Sequence, residues 1–277
     1  MIISNSERMK KYLITIDLDG TLLNNSSKIS TSSKSYLKKL INDGHKIVIA
    51  TGRPYRGCRM FYDELGLDTP LIFHNGAGIY HPNDDSFKSF EATMPKASFD
   101  ELFNYAKDNV VTMFYSINNE LYIYNYLPEV KFYYHLNADT KIYEGPLDDP
   151  SFPETSNSLV VLNVGFKKEF ETYIEKNLKD LDHRHYYDDE LYSIYEVYPK
   201  GYSKGSAVNI VRDYYNFKNE ETISFGDGEN DVELLEMSGH GVKMINGSKN
   251  LDSVKDAVTT HTNDEDGVIK YLKEYLK

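Results

Sequence analysis

The stretch that decides the fold runs from residue 12 to residue 22 and reads Tyr-Leu-Ile-Thr-Ile-Asp-Leu-Asp-Gly-Thr-Leu. Its apolar first half is typical of a short buried strand that ends at Asp17. Period-2 alternation sends Asp17 and Asp19 toward the same side, and Gly20 lets the backbone turn sharply toward a ligand. A lone Asp-Gly pair would indicate a turn with solvated acids. The pattern Asp-x-Asp-Gly-Thr-Leu arises by chance only about once in a thousand such chains, so we interpret it as two carboxylates converging at a strand end.

The same alternation of strand and helix continues downstream of this stretch. Apolar strands are expected at 46–50 and 70–74, with helices at 34–43 and 55–65, and Gly44 terminates the first helix. Buried-type strands that alternate with helices indicate a parallel sheet covered on both faces. The sequence therefore predicts an open, Rossmann-like α/β domain with three layers.

A second pattern interrupts this domain from about residue 78. Hairpin signals and isolated helices, one of them at 169–181, indicate an inserted α+β unit. After Pro199 the α/β pattern returns, with helices expected at 204–217, 249–256 and 265–276. We predict an α/β core formed by residues 1–79 and 199–277 and an α+β cap formed by residues 80–198. A cap over the carboxyl ends of parallel strands would roof a ligand site.

Composition narrows the possible partners and compartments. The 277 residues carry a formal net charge of −12, which argues against a nucleic-acid partner because phosphate backbones require clustered basic residues. Cys58 is the only cysteine, so a reducing, cytoplasmic compartment is expected. The apolar runs are shorter than a membrane span requires. We expect a monomer or weak homodimer with no membrane contact, and a frayed extension at residues 1–8.

Further polar motifs follow the other expected strands. Thr51 and Gly52 stand at the end of the second strand in Ala-Thr-Gly-Arg, a pattern that a simple helix cap also explains. Asn75 follows the third strand, and Lys204 enters a helix after the insertion. The strongest motif is Gly-Asp-Gly-Glu-Asn-Asp at 226–231, since three acids and two glycines between a strand and a helix have no packing purpose.

These motifs, in this order, resemble the haloacid dehalogenase-like phosphohydrolase superfamily, and within it the Cof-type sugar phosphatases with a type IIB cap. The resemblance covers the acid pair, Thr51, Asn75-Gly76-Ala77, the insertion, Lys204 and the motif at 226–231. The chain departs from the Cof pattern at Gly228, where asparagine is common, and at Met244-Ile245-Asn246, where Met-Gly-Asn is common. Neither departure removes a principal catalytic group.

The resemblance implies a magnesium-dependent phosphatase that hydrolyses small phosphomonoesters through an aspartyl phosphate. Asp17 would attack phosphorus, and Asp19 would protonate the leaving oxygen and then activate water. Mg²⁺ would be bound by Asp17, the main-chain carbonyl of Asp19 and Asp227. Asp231 would orient Lys204 or a metal-bound water. The phosphoryl oxygens would be held by the remaining site residues, which are Thr51, the backbone of Leu18 and Gly52, Asn75, Lys204 and Asn230.

Several functional alternatives stay open at this point. Dehalogenation is disfavoured because haloacid dehalogenases lack the second acid, Asp19. A phosphotransferase such as a hexose-phosphate mutase would use the same aspartyl phosphate, and a phosphate-ligand sensor would bind without turnover. The sequence does not choose among sugar phosphates, phosphorylated cofactors and nucleotides as substrates.

Overall fold

The computed structural model describes residues 10–277. The extension predicted at residues 1–8 lies outside the described residues. The strands, in chain order, are β1 (Leu13–Ile16), β2 (Lys46–Ile49), β3 (Leu71–Phe73), β4 (Gly78–Tyr80), β5 (Phe90–Glu91), β6 (Val110–Ile117), β7 (Glu120–Tyr124), β8 (Lys141–Glu144), β9 (Ser158–Asn163), β10 (Leu181–Asp188), β11 (Tyr192–Pro199), β12 (Thr222–Gly226), β13 (Gly241–Lys243) and β14 (Ala257–Val258).

The α-helices flank these strands. Among the 3₁₀ helices, the one at Pro128–Tyr134 lies between β7 and β8. No helix within residues 10–277 has both the length and the apolar character needed to cross a lipid bilayer. The α-helices are α1 (Thr31–Asn42), α2 (Tyr55–Leu65), α3 (Lys96–Ala106), α4 (Lys167–Asn177), α5 (Lys204–Tyr214), α6 (Val232–Glu236) and α7 (Gly267–Tyr275).

The core is a parallel sheet with strand order β14-β13-β12-β1-β2. A single parallel bridge between Ala50 and Ile72 connects β3 to its edge. Ile47 and Ile49 of β2 pack on the side of α1, α2 and α7, whereas Val48 packs on the side of α5 and α6. Both faces of the sheet are therefore buried, and the predicted Rossmann-like core is confirmed.

The cap is built on a second, six-stranded sheet with the order β10-β11-β9-β6-β7-β8. Side chains of α3 and α4 pack on one of its faces, as Phe103 and Phe170 show. On its other face Phe114 packs against Tyr134 of the 3₁₀ helix, with ring centroids 4.6 Å apart. The boundary predicted at residue 79 falls within β4, and the one predicted at residue 199 falls at the end of β11. The division at these residues stays a prediction.

Two expected helices differ from the structure. The helix expected at 249–256 is only a 3₁₀ turn, Lys249–Ser253, because the next residues pair with β13 as β14. The helix expected at 169–181 ends at Asn177, and Leu181 already pairs with Pro199 in the β10–β11 ladder. In both places strand pairing supplies the backbone hydrogen bonds that a longer helix would have made.

Candidate active site

Three acidic side chains meet at the carboxyl ends of β1 and β12. Asp17 directly follows β1, Asp227 directly follows β12, and Asp231 immediately precedes α6. Because β1 and β12 are parallel neighbours, their ends lie at the same edge of the sheet. One carboxylate oxygen from each acid lies within 4.8 Å of the other two. The fold thus brings acids from distant parts of the chain into one cluster.

The turn after β1 depends on Gly20. Its φ angle is +71°, and a Cβ atom at this position would lie 2.1 Å from Oδ2 of Asp227. Glycine is therefore required both by the backbone conformation and by the space beside the acid cluster. The same turn places Thr21, whose Oγ1 donates a hydrogen bond to Oδ1 of Asp227 at 2.9 Å.

Lys204 is a fully buried cation at the floor of the site. Its Nζ donates to Oδ1 of Asp17 at 2.6 Å and to Oδ1 of Asp231 at 2.7 Å. The second oxygen of Asp231 accepts from the N–H groups of Asp227 and Gly228, both at 3.0 Å. Asp231 therefore fixes Lys204 and the 227–228 loop together. Lys204 begins α5, and a reciprocal capping box formed by Ser203 and Ser206 sets the start of that helix.

The charges of this cluster do not balance. Burial raises the pKa of Asp17 well above its usual range, with Lys204 opposing the shift and the other acids adding to it. Burial also raises the pKa of Asp227 to about 7, and the charge of Asp231 adds to this effect. Burial lowers the pKa of Lys204, but Asp17 and Asp231 together raise it above its usual range. Three acids that share one lysine form an oxygen-rich, electronegative site, which fits a divalent cation.

Asp19 lies beside the cluster and is held by a residue to which the sequence analysis assigned no role. Arg53 donates to both carboxylate oxygens of Asp19, with Nε to Oδ2 at 2.7 Å and Nη2 to Oδ1 at 2.6 Å. The Arg53 side chain is buried, whereas that of Asp19 is 45% exposed. This fork geometry fixes the orientation of the Asp19 carboxyl group. The signal available in the sequence was the position of Arg53 directly after Thr51 and Gly52.

The predicted phosphate-binding groups surround the acid cluster. Asp17, Thr51, Gly52, Asn230 and Asp227 line one cavity of about 350 Å³. Three predicted phosphate-binding groups are not part of this lining: the side chains of Lys204 and Asn75, and the backbone of Leu18, which follows Asp17 in the turn after β1. Within residues 10–277, the N–H groups of Leu18 and Gly52 make no hydrogen bond to a protein acceptor. Both N–H groups can therefore donate to a ligand.

Asn75 connects Asn230, which lines the cavity, to residues of the cap. Its Oδ1 accepts from Nδ2 of Asn230 at 2.9 Å. Its Nδ2 donates to Oε2 of Glu196 at 2.6 Å and to the hydroxyl of Tyr186 at 3.0 Å. Direct contact between Asn75 and phosphate stays a prediction, since both amide hydrogens face cap residues in this structure.

The cap supplies the roof of the cavity. No recognised motif marked these side chains, although Glu196 stands out as the lone acid in an apolar strand. The roof residues are Phe132, Tyr133, His135, Asn157, Leu159, Tyr186 and Glu196.

Arg56, on α2 of the core, connects the core to the cap. Its guanidinium donates to the carbonyls of Tyr134 at 2.6 Å and His135 at 3.2 Å. It also donates to Oγ of Ser116 at 2.7 Å and to the carbonyl of Glu120 at 3.2 Å. Desolvation lowers the pKa of Arg56 to about 10. A partly buried cation that is satisfied by cap carbonyls favours the closed arrangement of the two units.

Comparison with known proteins identifies the type of site. A model of the haloacid dehalogenase-like hydrolase family matches residues 14–272. The chain belongs to this family. The match spans nearly the whole described chain, so it includes the acid cluster, the cap and Lys204.

Two curated relatives of this haloacid dehalogenase-like hydrolase are named as phosphatases. The 5-amino-6-(5-phospho-D-ribitylamino)uracil phosphatase YitU of Bacillus subtilis is 33% identical over 271 residues, covering 96% of this chain and 98% of that protein. The HMP-PP phosphatase of Serratia proteamaculans is 26% identical over 276 residues, covering 96% of this chain and 95% of that protein. The phosphatase class predicted from the sequence is confirmed.

Solved structures of haloacid dehalogenase-like hydrolases share the fold. One from Bacteroides thetaiotaomicron superposes with a TM-score of 0.80 at 26% identity, covering 96% of this chain and all of that chain. A subclass IIB sugar phosphatase superposes with a TM-score of 0.79 at 25% identity, covering 96% of this chain and 98% of that chain. The predicted assignment to the Cof-type group with its cap is confirmed.

Proposed function

We propose that this enzyme hydrolyses small phosphomonoesters in a magnesium-dependent reaction that passes through a phosphorylated Asp17. The observation that supports this proposal best is the contact of 2.6 Å between the buried Lys204 and Asp17, which lines a cavity rich in carboxylates. Lysine holds one oxygen of Asp17, and the other remains available for attack on phosphorus.

The reaction has two chemical steps, in which Asp17 is the nucleophile and Asp19 transfers a proton in each. A carboxylate oxygen of Asp17 forms a bond to phosphorus while the bond from phosphorus to the ester oxygen breaks, and Asp19 gives its proton to the departing oxygen. In the second step, Asp19 takes a proton from water as the water oxygen attacks the phosphorus of the aspartyl phosphate. That attack releases inorganic phosphate and restores both acids. The forked contact from Arg53 holds the carboxyl group of Asp19 in a fixed orientation beside Asp17.

Donors around the cavity would hold the transferring phosphoryl group. Thr51, Gly52 and Asn230 line the cavity beside Asp17, the N–H group of Leu18 follows it in the chain, and Lys204 contacts its carboxylate. Asn75 would act on this group through Asn230, whose amide it orients.

Magnesium would be held by the carboxylates of Asp17 and Asp227 together with the main-chain carbonyl of Asp19. These hard oxygen donors match the preference of the ion, and when bound it would neutralise charge between the phosphate and its carboxylate surroundings. Asp231 is committed to Lys204 and two backbone N–H groups, so we assign it the orientation of Lys204.

The substrate class follows from the relatives and the size of the cavity. The Bacillus relative acts on a ribityl monophosphate and the Serratia relative on HMP-PP. A cavity of about 350 Å³ accommodates a leaving group of this size. We propose sugar phosphates or phosphorylated cofactor precursors as substrates of this chain. The net charge of −12 favours a small-molecule substrate over nucleic acid, and the single cysteine, Cys58, favours action in the cytoplasm.

The test is phosphate release from p-nitrophenyl phosphate and from a panel of sugar phosphates, with Mg²⁺ and with EDTA. Asp17→Asn should abolish turnover, and Asp19→Asn should lower kcat by about 10²-fold or more while still allowing attack on this activated ester. Acid quenching after a few turnovers should trap phosphate on the protein in Asp19→Asn and none in Asp17→Asn. Turnover by Asp17→Asn at the parent rate would refute the mechanism. Stoichiometric phosphate release without a sugar acceptor separates hydrolysis from phosphotransfer.

A further inference from the structure

An apolar groove adjoins the active-site cavity. It has a volume of about 490 Å³ and lies between α2 of the core and the end of the 3₁₀ helix of the cap. Three of its lining residues, Arg53, Phe132 and His135, also line the active-site cavity. The groove and the cavity therefore meet at these residues. The rest of the groove is lined by Ser27, Met60, Phe61, Lys131 and Leu136.

The groove presents large apolar side chains to solvent. Met60 is 63% exposed, Phe132 is 57% exposed and Leu136 is 41% exposed, whereas Phe61 is buried. Exposed apolar side chains that cluster together mark a binding surface, whereas singly scattered ones do not. Burial lowers the pKa of His135 to about 3, so its imidazole is uncharged at physiological pH. The surface of the groove is therefore suited to contact with an apolar ring.

The charged residues of the groove are basic. Among the described residues that line it there is no aspartate or glutamate. Arg53 is engaged by Asp19, and its guanidinium lies 5.2 Å from the centroid of the Phe61 ring. Lys131 is exposed, so its ammonium group can donate to a carbonyl at the edge of a heteroaromatic ring. Such a ring combines the apolar faces and the polar edge that this lining can contact.

The proposed chemistry directs the leaving group toward this groove. Asp19 protonates the ester oxygen, so the leaving group begins beside Asp19. Arg53 donates to both carboxylate oxygens of Asp19 and also lines the groove. A leaving group that extends from the ester oxygen past Arg53 therefore reaches the apolar side chains.

We propose that the groove is a subsite for the leaving group, and that it favours phosphate esters that carry a planar aromatic ring on a sugar or sugar-alcohol chain. This inference rests on the proposed function, because it assigns the leaving group of that reaction to the groove. The hydroxylated chain lies in the cavity, whose roof includes the polar side chains of Asn157 and Glu196. The ring packs against Met60, Phe132 and Leu136.

The test compares flavin mononucleotide with ribitol 5-phosphate. Both are esters of the terminal carbon of a ribityl chain, so the bond that breaks is the same, and only the flavin carries an aromatic ring system. We expect the parent enzyme to favour flavin mononucleotide in kcat/KM by about tenfold or more, the effect of burying about 60 Å² of apolar surface. The preference should appear mainly in KM, because the ring is remote from phosphorus.

Substitutions in the groove test the assignment. The double variant Met60→Gln, Leu136→Gln keeps side chains of similar length but removes apolar surface, so the preference for the flavin should fall at least about fivefold. Met60→Leu keeps an apolar side chain and should retain the preference. Leu191→Gln is the matched control, because Leu191 is also a cap residue and is 64% exposed but does not line the groove. Its preference should equal that of the parent.

Each preference compares two substrates on the same protein, so general damage to folding cancels. Equal losses on both esters in the double variant, with the preference unchanged, would overturn the proposal. A parent enzyme that uses both esters equally would also overturn it. If the double substitution leaves the preference unchanged but converts a dimer into a monomer in light scattering, the groove is an interface between copies of the chain and the proposal is wrong.

The same experiment distinguishes failure of this inference from failure of the proposed function. If Asp17→Asn is inactive and the parent hydrolyses p-nitrophenyl phosphate with Mg²⁺ but does not prefer the flavin, the phosphatase mechanism stands and the assignment of the groove is wrong. If the parent hydrolyses neither p-nitrophenyl phosphate nor either ribityl ester, both the function and the inference are overturned.

Discussion

Replacing Asp227 by asparagine removes one charge from the crowded acid cluster while keeping the shape of the side chain. Asparagine retains an oxygen that can accept the hydrogen bond from Thr21. The variant should lose Mg²⁺-dependent turnover, since Asp227 is a proposed metal ligand. Without metal it should nevertheless be more stable than the parent protein, because burial and Asp231 make the charge of Asp227 unfavourable in the folded state.

The size and sign of the effect follow from the pKa. The folded-state pKa of Asp227 is raised from 3.8 to about 7. As pH rises through this window, the unfolded chain loses its proton before the folded protein does, so the folded state becomes progressively less stable. The full shift corresponds to about 4 kcal/mol near pH 8, and about 2 kcal/mol is already present near pH 5. Asp227→Asn should remove this destabilisation, so its gain should be about twice as large near pH 8 as near pH 5.

The assay is thermal unfolding in EDTA at both pH values, repeated with Mg²⁺. We expect Asp227→Asn to raise Tm by about 5–10 °C near pH 8 and by about half as much near pH 5. Mg²⁺ should raise the Tm of the parent but hardly that of the variant. Asp252→Asn is the control, and its effect on Tm should have the opposite sign. Hydrogen bonds from Lys243 and Lys255 lower the pKa of Asp252 to about 2, so its ionised form favours the folded state and its removal should lower Tm. A gain that is independent of pH, or a lower Tm for Asp227→Asn near pH 8, would refute the reasoning.

Two further substitutions test the buried Lys204 and the partly buried Arg56. Lys204→Met leaves Asp17 and Asp231 without their shared partner, so in metal-free urea unfolding we expect a loss of about 3–5 kcal/mol, together with loss of turnover. A stability change within about 1 kcal/mol would contradict this account of Lys204. Arg56→Ala removes the donors that hold the cap carbonyls of Tyr134 and His135, so kcat/KM for sugar phosphates should fall about tenfold, with partial recovery in Arg56→Lys. Unchanged kinetics in Arg56→Ala would show that closure does not depend on this contact.

Much of the core could be predicted because its signals are local. An apolar run that ends in Asp17 specifies both a buried strand and the place where an acid emerges, and the same holds for the strand before Asp227. Parallel strands present their carboxyl ends at one edge, so acids at two strand ends were expected to meet. The acid cluster follows from these local patterns combined with one general rule of sheet geometry.

The element and contacts that the sequence did not predict depend on pairing between residues that are distant in the chain. β14 has only two residues and is defined by its pairing with β13, so no periodic pattern marked it. Asn75 and Glu196 are 121 residues apart and meet only because the cap closes on the core. Arg53 lies two residues after Thr51 in the sequence, but its contact with Asp19 depends on the orientation of the Asp19 side chain.

The sequence by itself therefore determined the α/β core, the presence of an inserted cap and the acids that carry the proposed chemistry, because strand periodicity and turn chemistry act over a few residues. Only the tertiary structure decided that Arg53 holds Asp19, that Asn75 faces the cap and that Glu196 enters the roof. Those contacts depend on how two separately folded layers of side chains pack across the cavity, and no short stretch of the chain encodes that packing.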